Sequence, residues 1–175
     1  MGLHRIQRVR VAGYSLLEAL TVLVVMAIIT SFAVVVYGSY RRAARTRSAA
    51  QQFEALFGTA RTLAINQNAH FQAVLDLGNS GLWIDQVDSL GQVITPKITT
   101  PEAWSAYVHP VELFINGLPY PTGLARIQFH PNGTSDAARI VLLSEGADSR
   151  STGELLTVKL FSSTARTRTY PGNRP

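Results

Sequence analysis

Glu18 is the one charge in the run from Leu16 to Tyr37. An ionisable group inside so apolar a stretch usually has a function. The plainest chemistry open to it is pairing with a cation. A cut after Gly13 would free an α-amine on Tyr14, four residues before Glu18. An ammonium and a carboxylate attract strongly where the dielectric is low. Within one helix the pair forms locally; between packed helices it sets their axial register. The plainer alternative is a signal anchor with a stray acid near its end. A second set of charges closes the chain. Arg166 and Arg168 are two apart on a candidate strand and so point to one side. With Arg126, Arg139 or Arg174 they would make a phosphate-binding stripe. Otherwise they are a solvated strand edge guarded by charge.

Catalytic sets are missing from the sequence. His4, His70, His109 and His130 are far apart and show no metal-ligand spacing. The last three read as surface or turn residues. There is no Gly-x-Ser-x-Gly elbow, no phosphate loop and no cysteine. A disulfide framework, a thiolate metal site and a cofactor motif are therefore not expected, and an enzyme is the least supported class. Asn132-Gly133-Thr134 fits a glycosylation pattern but is first a turn signal. Trp83 and Trp104 read as core or rim aromatics.

The element that must carry Glu18 is a helix. The 22 residues from Leu16 to Tyr37 would span about 33 Å, against a hydrocarbon core of about 30 Å. Its 13 Leu, Ile, Val and Phe residues favour insertion by about 4 to 8 kcal/mol, more than the cost of about 3 kcal/mol for one acid. Before it, Arg5, Arg8 and Arg10 suit the cytoplasmic side; after it, Arg41, Arg42, Arg45 and Arg47 leave the orientation open on charge alone. The cluster at 41–47 reads as a solvated or headgroup-facing collar, or as contacts to acidic groups of neighbouring subunits. A secretory signal peptide has its apolar segment ahead of the cut and loses it; here the helix would stay. The formal charge of +5 falls to near balance once residues 1–13 are removed, so overall charge argues little for nucleic acid.

Residues 41–66 continue the helix. Phe53, Leu56/Phe57, Ala60 and Leu63/Ala64 fall on one face, and no proline interrupts from Tyr14 to Asn66. Strands are expected at Phe71–Leu77, Leu82–Val87, Gln92–Ile98, Val111–Asn116, Arg126–Phe129, Arg139–Leu143, Leu155–Phe161 and Arg166–Tyr170. Turns are expected at Gly78–Gly81 and Asp88–Gly91, with irregular chain at Thr99–Pro110 and a loop at Gly117–Gly123. The fold class expected is α+β, a long N-terminal helix packed on an antiparallel sheet domain. The domains read as a leader at 1–13, a membrane or filament-core helix at 14–40, its amphipathic continuation at 41–66, a β-rich domain at 67–170 and a flexible tail at 171–175.

Gly13-Tyr14-Ser15-Leu16-Leu17-Glu18 behind a short basic leader resembles the class III signal of type IV pilins and pseudopilins, whose usual form is Gly-Phe-Thr-Leu-Ile-Glu. Ile127-Gln128-Phe129-His130-Pro131-Asn132-Gly133-Thr134, the strands at 139–142 and 156–160, and Ala165-Arg166-Thr167-Arg168 resemble the GspH/FimT class of minor pseudopilins. Ala165 stands where that class usually has Gly. The resemblance implies cleavage after Gly13 by prepilin peptidase, N-methylation of Tyr14 and use of Glu18 in assembly. It implies an inner-membrane protein with a single pass and a periplasmic C-terminal domain. Its partners would be other pseudopilins or minor pilins and the inner-membrane assembly platform, in a type II secretion pseudopilus. The alternative is a FimT-like type IV minor pilin that binds DNA through Arg166 and Arg168. Residues 78–125 match no motif.

Overall fold

The computed structural model describes residues 15–145 and 155–173, without the side chains of 32–36 and Ser39. The leader, Gly13, Tyr14 and Arg174 lie outside the described residues. One helix, α1, runs from Leu16 to Asn66. The chain divides into two units, Met1–Ser39 and Tyr40–Pro175.

In the first unit the described side chains of the helix are apolar apart from Glu18, Thr21, Thr30 and Ser31. Ser15 opens it: its carbonyl accepts from the amides of Glu18 and Ala19, and its hydroxyl from that of Leu17 at 3.3 Å. This is N-cap behaviour, since the first turn of amides has no partner within the helix. The hydroxyls of Thr21, Thr30 and Ser31 donate back to the carbonyls of Glu18, Met26 and Ile28. These polar groups are thus satisfied within the helix, as an apolar surrounding would require. Among the described residues no helix is long and apolar enough to cross a membrane; the apolar run of the sequence passes through residues 32–36.

In the second unit Ala49, Ala50, Phe53, Phe57, Ala60 and Ala64 of α1 are buried. Their spacing of three and four makes one stripe, and the alanines let the sheets approach closely. The helix stops at a Schellman motif: Asn68 has φ 47°, and the amides of Ala69 and Asn68 donate to the carbonyls of Ala64 and Ile65.

Among the described residues ten strands follow: β1 His70–Asp76, β2 Gly81–Val87, β3 Val93–Thr95, β4 Glu102–Ala103, β5 Val108–Ile115, β6 Leu118–Pro119, β7 Leu124–Phe129, β8 Ala138–Ser144, β9 Leu155–Phe161 and β10 Arg166–Pro171. They form two antiparallel sheets. The first has the order β3-β2-β1-β7, with β4 also on β2; the second has the order β10-β9-β8-β5-β6. The helix meets both. Phe57 lies against Phe129 with ring centroids 6.1 Å apart, and the Glu54 carboxylate accepts from the Thr169 hydroxyl. Trp104 is buried against Phe53, its indole donating to the Val108 carbonyl at 3.0 Å. Trp83 is half-buried under the Lys97 ammonium.

The turns expected at 78–81 and 88–91 form around aspartates. Asp76 accepts from the amides of Gly78 and Asn79 and from the Asn79 side chain. Asp88 Oδ1 accepts from the amides of Leu90 and Gln92. Three expectations need correction. Pro110 does not break the chain; it lies inside β5, where the register with β8 shifts between Pro110 and Glu112. Such a bulge suspends the ladder bonds and so tolerates the missing amide of proline. The loop at Gly117–Gly123 folds back, with Leu118 and Pro119 paired to Ile115 and Phe114. The expected flexible tail is held through its first residues: the Gly172 amide donates to the Leu155 carbonyl, and the Gly172 carbonyl accepts from the buried Thr157 hydroxyl.

Candidate functional site

Two surfaces carry the residues singled out in the sequence. The first is the start of α1. Glu18 stands in its first turn and is exposed, where a carboxylate also complements the helix dipole. Around it Leu16, Leu17, Leu20, Val22, Leu23, Val24 and Val25 are more than half exposed. An uncovered apolar helix surface on this scale marks a lipid or protein contact.

The second surface is on the sheet of β10, β9, β8, β5 and β6. Val158, Leu160 and Ile140 point to the core, and Thr169 reaches α1. Their strand neighbours Arg168, Lys159 and Arg139 therefore point to the other face, because successive residues alternate. The register sets these three side by side: Arg168 opposite Lys159, Lys159 opposite Arg139, and Arg139 opposite Phe114. Like charges directly opposite one another destabilise a sheet. Arg139 is partly neutralised by Glu112 at 3.2 Å and lies over the Phe114 ring, 4.5 Å from its centroid. Arg166, opposite Phe161, and Arg168 are both exposed on the edge strand. Beside the row a groove of about 390 Å³ is lined by Phe114, Arg139, Lys159 and Phe161.

The structure thus joins Arg166, Arg168 and Arg139. Arg126 is on β7 of the other sheet, and Arg174 lies outside the described residues. Lys159 is not among the charges that the sequence singles out. Alternation within Leu155–Phe161 was its signal, since Val158 and Leu160 take the apolar positions around it. Ala165, where the resembling class has Gly, is buried with φ 44°. It adopts the left-handed conformation that favours glycine, so the turn into β10 keeps the shape a glycine would give. The arginine collar is mixed. Arg41 and Arg47 are exposed, whereas Arg45 is half-buried and stacks on Tyr107 at 4.3 Å.

His70 and His130, expected as surface or turn residues, are half-buried, and the fold brings their Nδ1 atoms to 3.2 Å of each other. His109 is exposed on β5. Among the described residues no three His, Cys, Asp or Glu side chains gather as a metal cluster.

A long helix whose second half is packed on an antiparallel sheet domain defines a pilin-like α+β protein. The family model described as "Type II transport protein GspH" matches residues 49–161, well over half of the chain, and the chain belongs to that family. Two solved structures of the minor pseudopilin EpsH from the Type 2 Secretion System of Vibrio cholerae are similar. One gives a TM-score of 0.55 at 12% identity over 75% of this chain and 99% of that one. The other gives 0.54 at 12% identity over 75% and 96%. The type IV minor pilin FimU of Pseudomonas aeruginosa gives a TM-score of 0.51 at 18% identity over 72% and 88%. No curated protein sequence matches. The family and these neighbours are structural pseudopilins and pilins, not enzymes.

Proposed function

We propose that this chain is a minor pseudopilin of a type II protein secretion system. Prepilin peptidase cuts it after Gly13, Tyr14 becomes the N-methylated terminus, and Glu18 accepts a terminal amine during assembly. The segment 14–40 holds the protein in the inner membrane in a single pass and then enters the filament core beside other pseudopilins. The β domain stands in the periplasm, at or near the tip of the pseudopilus. The observation that carries this reading is Glu18 as the lone acid in the first turn of an exposed apolar helix, in a chain of the GspH family. Its test is secretion and pseudopilus assembly with Glu18→Ala and with a Gly13 substitution. Both should stop. Normal assembly with either, or a membrane-extracted protein whose mass still includes residues 1–13, sinks the proposal.

A second reading rests on the cationic row. Arg166, Arg168, Lys159 and Arg139 share one sheet face, which suits a phosphate backbone. Under this reading the chain is a FimT-like type IV minor pilin that captures DNA. Replacing Arg166 and Arg168 together with alanine should weaken DNA binding and lower the salt slope by about 2. An unchanged affinity removes these residues from any DNA site.

A further inference from the structure

The geometry points to a site for a divalent transition metal, such as Zn²⁺, formed by the imidazoles of His70 and His130. Their Nδ1 atoms are 3.2 Å apart, and their rings stand at 83° with centroids separated by 5.3 Å. Zinc–imidazole bonds are about 2.0 to 2.1 Å long, so two nitrogens at that separation subtend about 100° at a shared ion, near the tetrahedral angle of about 109°.

Both backbones are fixed independently of any ion. His70 begins β1 and is paired with Val87 of β2. His130 follows the β7 residue Phe129, which is paired with Phe71 of β1. The turn after it is closed by the His130 amide donating to the Thr134 carbonyl at 2.9 Å and the Gly133 amide donating to the His130 carbonyl at 3.0 Å. Gly133 makes this turn at φ 82°. The backbones that carry both ligands are therefore held before the ion arrives, which lowers the entropy cost of binding. Both histidines are half-buried, so solvent reaches the site.

Ligand type sets the class of ion. Two imidazole nitrogens suit Zn²⁺, Cu²⁺, Ni²⁺ or Co²⁺, whereas Ca²⁺ and Mg²⁺ prefer oxygen. With no third His, Cys, Asp or Glu gathered among the described residues, water or a donor from a neighbouring molecule completes the coordination. The affinity is accordingly below that of a structural site with four protein ligands.

The test uses the full chain in detergent, stripped of metal and titrated with zinc chloride in a calorimeter. One Zn²⁺ per chain is expected. His70→Gln and His130→Gln should each abolish the binding, and His109→Gln should leave it unchanged. Thermal unfolding without metal controls for folding of the variants. Should either variant fail to fold, ¹⁵N spectra of histidine side chains in the unaltered chain decide: two Nδ1 resonances must shift on adding zinc. No saturable heat, binding that survives both substitutions, or unmoved Nδ1 resonances would show a hydrogen-bonded histidine pair only and overturn the site.

Discussion

Replacing Asp136 with alanine should destabilise the β domain by about 2 to 4 kcal/mol. Asp136 lies between β7 and β8 and ties one sheet to the other. Its Oδ2 accepts from the Gln128 amide of β7 at 2.8 Å, and its own amide donates to the Gln128 carbonyl at 3.0 Å. Its Oδ1 accepts from the Asn116 side chain, just past β5, at 2.8 Å. Asn116 in turn accepts from the Ala137 amide at 2.9 Å. A hydrogen bond to a charged group contributes about 1.5 to 3 kcal/mol when its partner would otherwise be left dry. The Gln128 bond is part-buried and takes that value. The Asn116 bond is exposed; water replaces the lost carboxylate there, and about 0.5 to 1 kcal/mol remains.

The assay is urea unfolding of residues 40–175, followed by the fluorescence of buried Trp104. This fragment suffices because every buried residue found among the described residues lies within it. At a slope of about 2 kcal/mol per molar urea, inside the usual range of about 1 to 3, the midpoint should fall by roughly 1 to 2 M. Asp136→Asn keeps one acceptor and should lose about half as much. A double-mutant cycle with Asn116→Ala isolates the bridge to the second sheet. A loss below about 1 kcal/mol for Asp136→Ala, or no coupling between Asp136 and Asn116, would refute the reasoning.

Three further outcomes are expected. Phe53→Ala removes a fully buried ring packed on Phe57 and Trp104; it should cost about 3 to 5 kcal/mol in the same unfolding assay. The hydrogen bond from the Asn79 side chain, opposed next by desolvation and then assisted by the amides of Asn79 and Gly78, holds the Asp76 carboxyl below its ordinary value. A lowered pKa adds stability above the unfolded value and loses it as pH falls through the folded one. Stability should therefore drop less between pH 5 and 2 in Asp76→Asn than in the unaltered domain. Ala165→Gly relieves a left-handed alanine, worth about 1 to 2 kcal/mol. It also loses a buried methyl of about 0.8 kcal/mol and gains unfolded-state entropy of about 0.5 to 1 kcal/mol. The net change should be within about 0.8 kcal/mol, and a midpoint shift of more than 1 M urea would contradict this balance.

Local patterns in the chain determined a good deal. Spacings of three and four from Phe53 to Ala64, with no proline to interrupt them, carried the long helix and its buried stripe. The change to a two-residue period after Asn68 carried the strands, because side-chain direction follows directly from the two backbone geometries. Gly91 and Gly133 marked turns that need a positive φ, and Glu18 stood out because a lone acid in an apolar run has no local explanation. What tertiary structure decided was every pairing between distant segments. Pro110 could enter β5 only because the β8 register slips there. Lys159 joined Arg139 and Arg168 only through the strand order, which no single strand encodes. His70 and His130 are sixty residues apart, and only the β1–β7 register brings their nitrogens together. Sequence period reports which face a residue takes; the partner across the sheet is set by how the whole core closes.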